Sequence, residues 1–279
     1  MRTAFIVAAS SDIGGALARR WLGYGWRVGG TYRTRSAAVE ELERLGARLV
    51  ACDVADPAAV SQAAEGLRSF GRWDIVVLCP GTLEPIGPFA EGRFDAWAAS
   101  LDANLVGQLR MVHALLPGRR PSALGPCVVW FAGGGTNGAP VNYSAYTLSK
   151  IALIKMCELL DAEIPDTRFT ILGPGVVQTK IHRETLKAGA RAAATYQRAM
   201  DALAGKGCVP MDQVLACCDW VVDAPREVVS GRNFSVEFDA WATEELEQVL
   251  WQDPSMYKLR RHGNDRLVRQ ETLVRHESG

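Results

Sequence analysis

In the stretch VNYSAYTLSK, residues 141–150, a phenol and an amine stand four residues apart, Tyr146 and Lys150. On a helix that spacing puts both side chains on one face, one turn apart. A free phenol has a pKa near 10 and exchanges protons poorly at neutral pH. A neighbouring ammonium favours the phenolate and lowers that pKa. The pair therefore has the makings of a general acid–base device. A solvated pair on a surface helix has the same spacing, so the pair alone leaves both readings open. Tyr143, three residues before Tyr146, fits a packing or substrate-wall role better than that of a second acid. Just upstream, AGGGTNG (132–138) sets three glycines in a row, which permits backbone to approach a bulky ligand closely.

Holding such residues requires a frame, and the chain alternates strand-like with helix-like stretches. TAFIVAAS, WRVGGTYR, ARLVACDV, WDIVVLCPG, PCVVWFAGG and TRFTILGPGVV read as buried strands. Between them lie IGGALARRWLGYG, SAAVEELERLG, DPAAVSQAAEGLRSFG, one long helix over 94–116, and YSAYTLSKIALIKMCELLDAEI. Asp56 before Pro57 is a helix-start signature, and Gly25 a stop. A charged helical stretch over 180–224 precedes a last strand, EVVSGRNFSVEF. The alternation predicts an α/β fold: one doubly wound, Rossmann-type parallel sheet with helices on both faces. No linker interrupts it. The expected division is a domain over 1–239 and a C-terminal extension over 240–279.

Composition narrows the function. With 31 Lys+Arg against 31 Asp+Glu, the formal charge is zero, so no global basic field argues for nucleic acid or membrane. MRTAFIVAAS is too short to span a bilayer and Asp12 soon interrupts it; no later run approaches about 18 apolar residues. The seven cysteines are odd in number and form no C-x-x-C pair, which suits reduced thiols in a cytoplasmic protein. The four histidines are too scattered for a sequence-local metal site, and no metal is expected.

The first strand runs into VAASSDIGGALA. At that place in a doubly wound sheet, small residues and a helix N-terminus can receive a pyrophosphate. A plain strand-to-helix turn would look similar. In order and spacing, though, this turn and several later segments resemble the short-chain dehydrogenase/reductase family over about residues 3–239. VAASSDIG resembles its T-G-x-x-x-G-x-G turn: Ala8 and Asp12 stand where the first two glycines would be, Gly14 is the third, and Ser10, Ser11 and Ile13 match a common form. CDVAD resembles the adenine-side motif through Asp53 and Val54. LCPG occupies the N-N-A-G position with only Gly81 kept. ANLVG places Asn104 at the helical catalytic asparagine, Tyr146 and Lys150 match Y-x-x-x-K, and PGVVQT matches P-G-x-x-x-T.

The resemblance implies an NAD(P)-dependent oxidoreductase that moves hydride between nicotinamide and a ketone or secondary alcohol. Tyr146 would be the general acid in reduction and base in oxidation. Lys150 would tune it and bind the nicotinamide ribose, and Asn104 would hold a water in a relay behind Lys150. Pro174, Gly175, Val177 and Thr179 would lie near the nicotinamide. The family's serine, 13 residues before the tyrosine, is here Gly133; Thr136, Asn137 or a backbone N–H would have to substitute. Where NAD-using members carry an aspartate, this chain has Tyr32, then Arg33 and Arg35. Arginines suit a 2′-phosphate, so NADP is expected over NAD.

Residues 180–206, in the substrate-covering segment, carry six cations (Lys180, Arg183, Lys187, Arg191, Arg198, Lys206) against Glu184 and Asp201. That excess suits an anionic substrate, such as a nucleotide-activated sugar, or equally a solvated helix face. ATEELEQVLWQ reads as an amphipathic helix in the extension. Lys258, Arg260, Arg261 and His262 follow it, and residues 255–266 are expected over the substrate cleft. A homodimer or homotetramer through 94–116 and 146–163 is implied by the resemblance alone. A dinucleotide-binding module without turnover, or an epimerase or dehydratase with a tightly held cofactor, are the alternative readings.

Overall fold

The computed structural model describes residues 1–262. Seven parallel strands form one sheet in the order β3-β2-β1-β4-β5-β6-β7. They are β1 (Thr3–Val7), β2 (Arg27–Tyr32), β3 (Arg48–Ala51), β4 (Ile75–Leu78), β5 (Cys127–Phe131), β6 (Arg168–Gly173) and β7 (Arg232–Ser235). The helices between them are α1 (Asp12–Gly23), α2 (Ala37–Arg44), α3 (Pro57–Phe70), α4 (Phe94–Leu101), α5 (Gly107–Leu115) and α6 (Ser144–Glu163). Past β6 come α7 (His182–Ala188), α8 (Thr195–Leu203), α9 (Met211–Asp223) and α10 (Arg226–Val229), and past β7 comes α11 (Glu244–Gln252).

Alternation along each strand divides the core in two, because successive side chains leave opposite faces of the sheet. Ala4, Ile6, Val77 and Val129 pack with α1 and α9 residues such as Trp21 and Val221. Phe5, Val7, Val76, Leu78 and Trp130 pack on the other face with Leu67, Met111 and Leu153. Burial on both faces explains why the strands read as continuous apolar runs. Local signals held where expected: Asp56 accepts from the Ala58 N–H with Pro57 at the first helical position, and Gly25 takes φ +75° after α1.

Two expectations are sharpened and one needs correction. The helix over 94–116 runs on without a break, but a π-helical turn, Asp102–Val106, lies between its α-helical parts α4 and α5. The stretch over 180–224 is helical as expected, divided into α7, a 3-10 helix over Gly189–Ala192, α8 and α9. The last strand starts later than 227, because Arg226–Val229 form α10 and Gly231, at φ +73°, turns the chain into β7.

The extension is held by a buried arginine. Arg232 is 2% exposed and donates to the carbonyls of Leu250 (2.7 Å), Met256 (2.6 Å), Asp253 (3.1 Å) and Glu227 (3.3 Å). A charge taken out of water needs such partners. Trp241, Leu246, Leu250 and Tyr257 add apolar contacts to the same side of the core. Among the described residues, no helix is long and apolar enough to cross a membrane.

Candidate active site

A cavity of about 1280 Å³ opens beside the carboxyl ends of β1, β4, β5 and β6, the usual ligand position in an open parallel sheet. Ser11, Gly81, Gly133, Tyr146, Lys150 and Gly175 are on its walls.

The first wall is the turn from β1 into α1. Ala8 adopts φ +60°, the left-handed conformation that a glycine takes without strain. Its N–H donates to Thr31 Oγ1 at 3.0 Å. Ser11 Oγ accepts from the Gly14 N–H at 3.1 Å, capping α1. A Cβ on Gly14 would lie 2.7 Å from the Ala8 carbonyl oxygen, so glycine is required there. Backbone N–H groups at a helix start, with no side chain in the way, suit a dinucleotide pyrophosphate. The non-glycine at position 12 has its own use. Asp12 accepts from the Lys180 N–H at 2.7 Å, and Lys180 Nζ donates to the Ser10 carbonyl at 2.8 Å. The segment after β6 is thereby tied to the turn. Ile13, Pro174, Val177 and Thr179 line the cavity beside it.

On the adenine side, Asp53 Oδ1 accepts from the Ala55 N–H at 3.0 Å, and Val54 is buried. A Cβ on Gly107 would lie 2.2 Å from the Val54 carbonyl oxygen, so α5 starts hard against this motif. Arg33 is on the cavity wall, whereas Arg35 is not. Arg35, half exposed, pairs with Glu43 at 2.8 Å and lies 3.7 Å from Glu40, both on α2.

The opposite wall is the start of α6. Lys150 is 4% exposed; its Nζ donates to the Phe131 carbonyl at 3.0 Å and lies 5.7 Å from the Tyr146 ring centroid. Burial brings Lys150 down to about 8. Burial, followed by the charge of Glu184, pushes Tyr146 up to about 12. The sequence led us to expect the ammonium to lower the phenol's pKa; desolvation and the Glu184 charge raise it instead, and Tyr146 is a protonated acid at neutral pH. Cys79 lies near Lys150, its thiol pushed up to about 12 by burial, against a hydrogen bond with Ser11 and the Lys150 charge.

Gly133 explains the missing serine sterically. A Cβ there would stand 2.4 Å from Tyr146 Oη and 2.6 Å from its Cε1. The tyrosine occupies the space a side chain at 133 would need. Thr136 and Asn137 follow on the same wall.

Asn104 lies in the π turn and is fully buried. Its Oδ1 accepts from the Thr82 N–H at 2.9 Å, and its Nδ2 donates to the Thr82 carbonyl at 2.8 Å. Its own carbonyl accepts from Gln108 Nε2 at 2.8 Å. In this arrangement Asn104 holds the loop that follows Gly81. Tyr143 is buried, its hydroxyl 2.5 Å from Thr195 Oγ1, and ties α6 to α8.

The basic residues expected around the substrate disperse. Lys187 pairs with Glu84 at 2.9 Å, and Arg260 pairs with Glu158 on α6 at 2.7 Å. Lys180, Arg198 and Lys258 do reach the cavity wall. Of the expected covering segment, 263–266 lies outside the described residues. Sequence reading passed over Glu184, Gln108 and Cys79. A glutamate on a basic helix and a glutamine one turn past a polar residue carry no local signal; their roles come from what folds against them.

The family profile described as enoyl-(acyl carrier protein) reductase matches residues 7–237. A D-threitol dehydrogenase of Mycolicibacterium smegmatis is 31% identical over 189 residues, 64% of this chain and 72% of that one. A short-chain dehydrogenase/reductase of Saccharomyces cerevisiae superposes with TM-score 0.78 at 20% identity, covering 87% of this chain and 98% of that one. A short-chain dehydrogenase of Burkholderia cenocepacia, in complex with NADP, gives TM-score 0.69 at 25% identity over 84% and 95% of the two chains.

Proposed function

The chain belongs to the short-chain dehydrogenase/reductase family and is an NAD(P)-dependent oxidoreductase, and we propose that it works with NADPH on a ketone or secondary alcohol whose remote end is anionic. The dinucleotide, when bound, supplies or accepts the hydride. The turn at Ala8–Gly14 would receive its pyrophosphate, and Gly175 and Thr179 would flank its nicotinamide. Tyr146 delivers the proton to the carbonyl oxygen in reduction and removes it in oxidation. Lys150, held by the Phe131 carbonyl, sets the proton balance beside it. With no side chain at 133, Thr136 is our candidate for the second donor to the substrate oxygen.

Arg33 carries the preference for NADP. It stands on the cavity wall just past β2, where Tyr32 leaves no carboxylate to repel a 2′-phosphate. The experiment is titration of NADPH and NADH into wild type and Arg33→Ala. Tighter NADPH binding by roughly ten- to hundredfold, lost in the variant, is expected; equal affinities in the wild type refute the preference. Arg198 and Lys258 support an anionic group at the far end of the substrate, as in a nucleotide-activated sugar. Assembly through α4, α5 and α6 is part of the same reading, supported by exposed Phe94, Val106, Leu148 and Leu159. Sedimentation of the wild type against Leu159→Lys tests it. Tyr146 on the cavity wall beside buried Lys150 weighs against a binding module without turnover.

A further inference from the structure

One charged group on the cavity wall has no role in the scheme above. Glu184, in the first turn of α7, is fixed through one carboxylate oxygen only. Its Oε2 accepts from the Leu83 N–H at 2.6 Å and from Thr82 Oγ1 at 3.0 Å. Thr82 is itself clamped on both backbone atoms by buried Asn104, so the carboxylate is aimed by a rigid support. Among the described residues, Oε1 has no hydrogen-bond or ion-pair partner, and the residue lines the cavity that holds Tyr146. Lys187, one turn further along, is bonded instead to Glu84.

A fixed negative charge close to Tyr146 is unfavourable for the phenolate that oxidation requires. It is also an acceptor with one oxygen unpartnered, on a residue that lines both the cavity holding Tyr146 and a second one beside Thr82 and Ser100. Both features are resolved by a ligand that brings a hydrogen-bond donor to Oε1.

Resting on the proposed alcohol–ketone reaction, we infer that Glu184 reads the substrate, its free oxygen accepting from a hydroxyl or ammonium group on the carbon next to the reacting one. The substrate class is thus a vicinal diol or amino alcohol, or the corresponding hydroxy- or aminoketone. Glu184 is a specificity residue: it selects the neighbour of the reacting carbon, while Tyr146 serves that carbon's oxygen. The cations Arg198 and Lys258 would act on the remote end of the same molecule.

The test uses the full chain loaded with NADP and the variant Glu184→Gln, which keeps the shape and an oxygen for Thr82 and Leu83. A thermal melt checks folding. The probes are butane-2,3-diol, 1-aminopropan-2-ol and butan-2-ol, with binding read by saturation-transfer NMR and turnover by NADPH absorbance. Expected is a wild-type preference for the diol or the amino alcohol over butan-2-ol of at least about tenfold. In Glu184→Gln it should shrink to within about threefold, with butan-2-ol oxidised at least as fast as before. The compound that loses more in the variant identifies the donor as hydroxyl or ammonium. A preference that survives in Glu184→Gln, or none in the wild type, overturns the inference. If the binding preference depends on Glu184 but no alcohol in a broad panel is turned over, the carboxylate's role stands and the oxidoreductase substrate reading falls instead.

Discussion

The turn after β1 and the start of α6 face the same cavity, yet they depart from the family pattern in opposite ways. At the turn the residues differ and the geometry is kept. Ala8 takes the left-handed conformation of the glycine it replaces, and Ser11 still caps α1. At α6 the residues match and the electrostatic state differs from the simple reading, with Tyr146 pushed up to about 12 and Lys150 down to about 8. In the proposed reading the first site works through backbone N–H groups, which any residue supplies once φ and ψ are right. The second works through side-chain charge, which burial and distant residues such as Glu184 retune without touching the motif. A backbone site can therefore tolerate substitution at a cost in strain, while a side-chain site can keep its letters and change its chemistry.

The largest expected effect tests the second half of this contrast. Tyr146→Phe should lose turnover by roughly 10²- to 10⁴-fold with dinucleotide affinity nearly unchanged, compared by steady-state kinetics and fluorescence titration. Wild-type turnover in that variant would remove Tyr146 from the proton path.

Next comes the crowding at position 133. Gly133→Ala and Gly133→Ser should both depress kcat, by about a hundredfold if Tyr146 Oη moves by about 1 Å. Serine should do no better than alanine, because the tyrosine already fills its place. A serine variant more active than wild type would show that the pocket can open to admit the missing hydroxyl.

A smaller effect concerns pH. A lowered Lys150 pKa means that the ammonium is lost as pH rises through about 8. The kcat/KM for reduction, which reports the free enzyme, should therefore fall about tenfold per pH unit above that value. The Tyr146 limb, near 12, lies beyond the working range. A profile flat to pH 10 would mean that Lys150 charge does not matter for the reduction.

The smallest effect belongs to the turn. Ala8→Gly should raise stability by about 1 kcal/mol by relieving the left-handed strain, read as a higher Tm of the unliganded protein. No change, or a fall, would mean that Ala8 contributes packing equal to its strain.

Much of the frame was legible in the chain itself. Apolar runs separated by amphipathic stretches dictate a parallel sheet with two covered faces, since each run can be buried only between layers of helices. Asp56–Pro57 and Gly25 mark their helix ends through local hydrogen bonding and backbone freedom. The spacing of Tyr146 and Lys150 fixes their shared face because helix periodicity is local. What lay beyond local reach was every property set by partners far along the chain. The π turn around Asn104 gives no residue-level signal at 94–116. Arg232 gave no hint that it would gather the carbonyls of the extension.

The sequence by itself determined the alternation, the strand-to-helix turn and the shared helix face of Tyr146 and Lys150, because each depends on residues within a few positions of one another. The tertiary structure alone decided the protonation of that pair, the latch from Asp12 to Lys180, and the placing of Glu184 beside Tyr146. Solvation and charge act through space. The groups that set them, 168 positions apart for the latch, meet only when the sheet has closed.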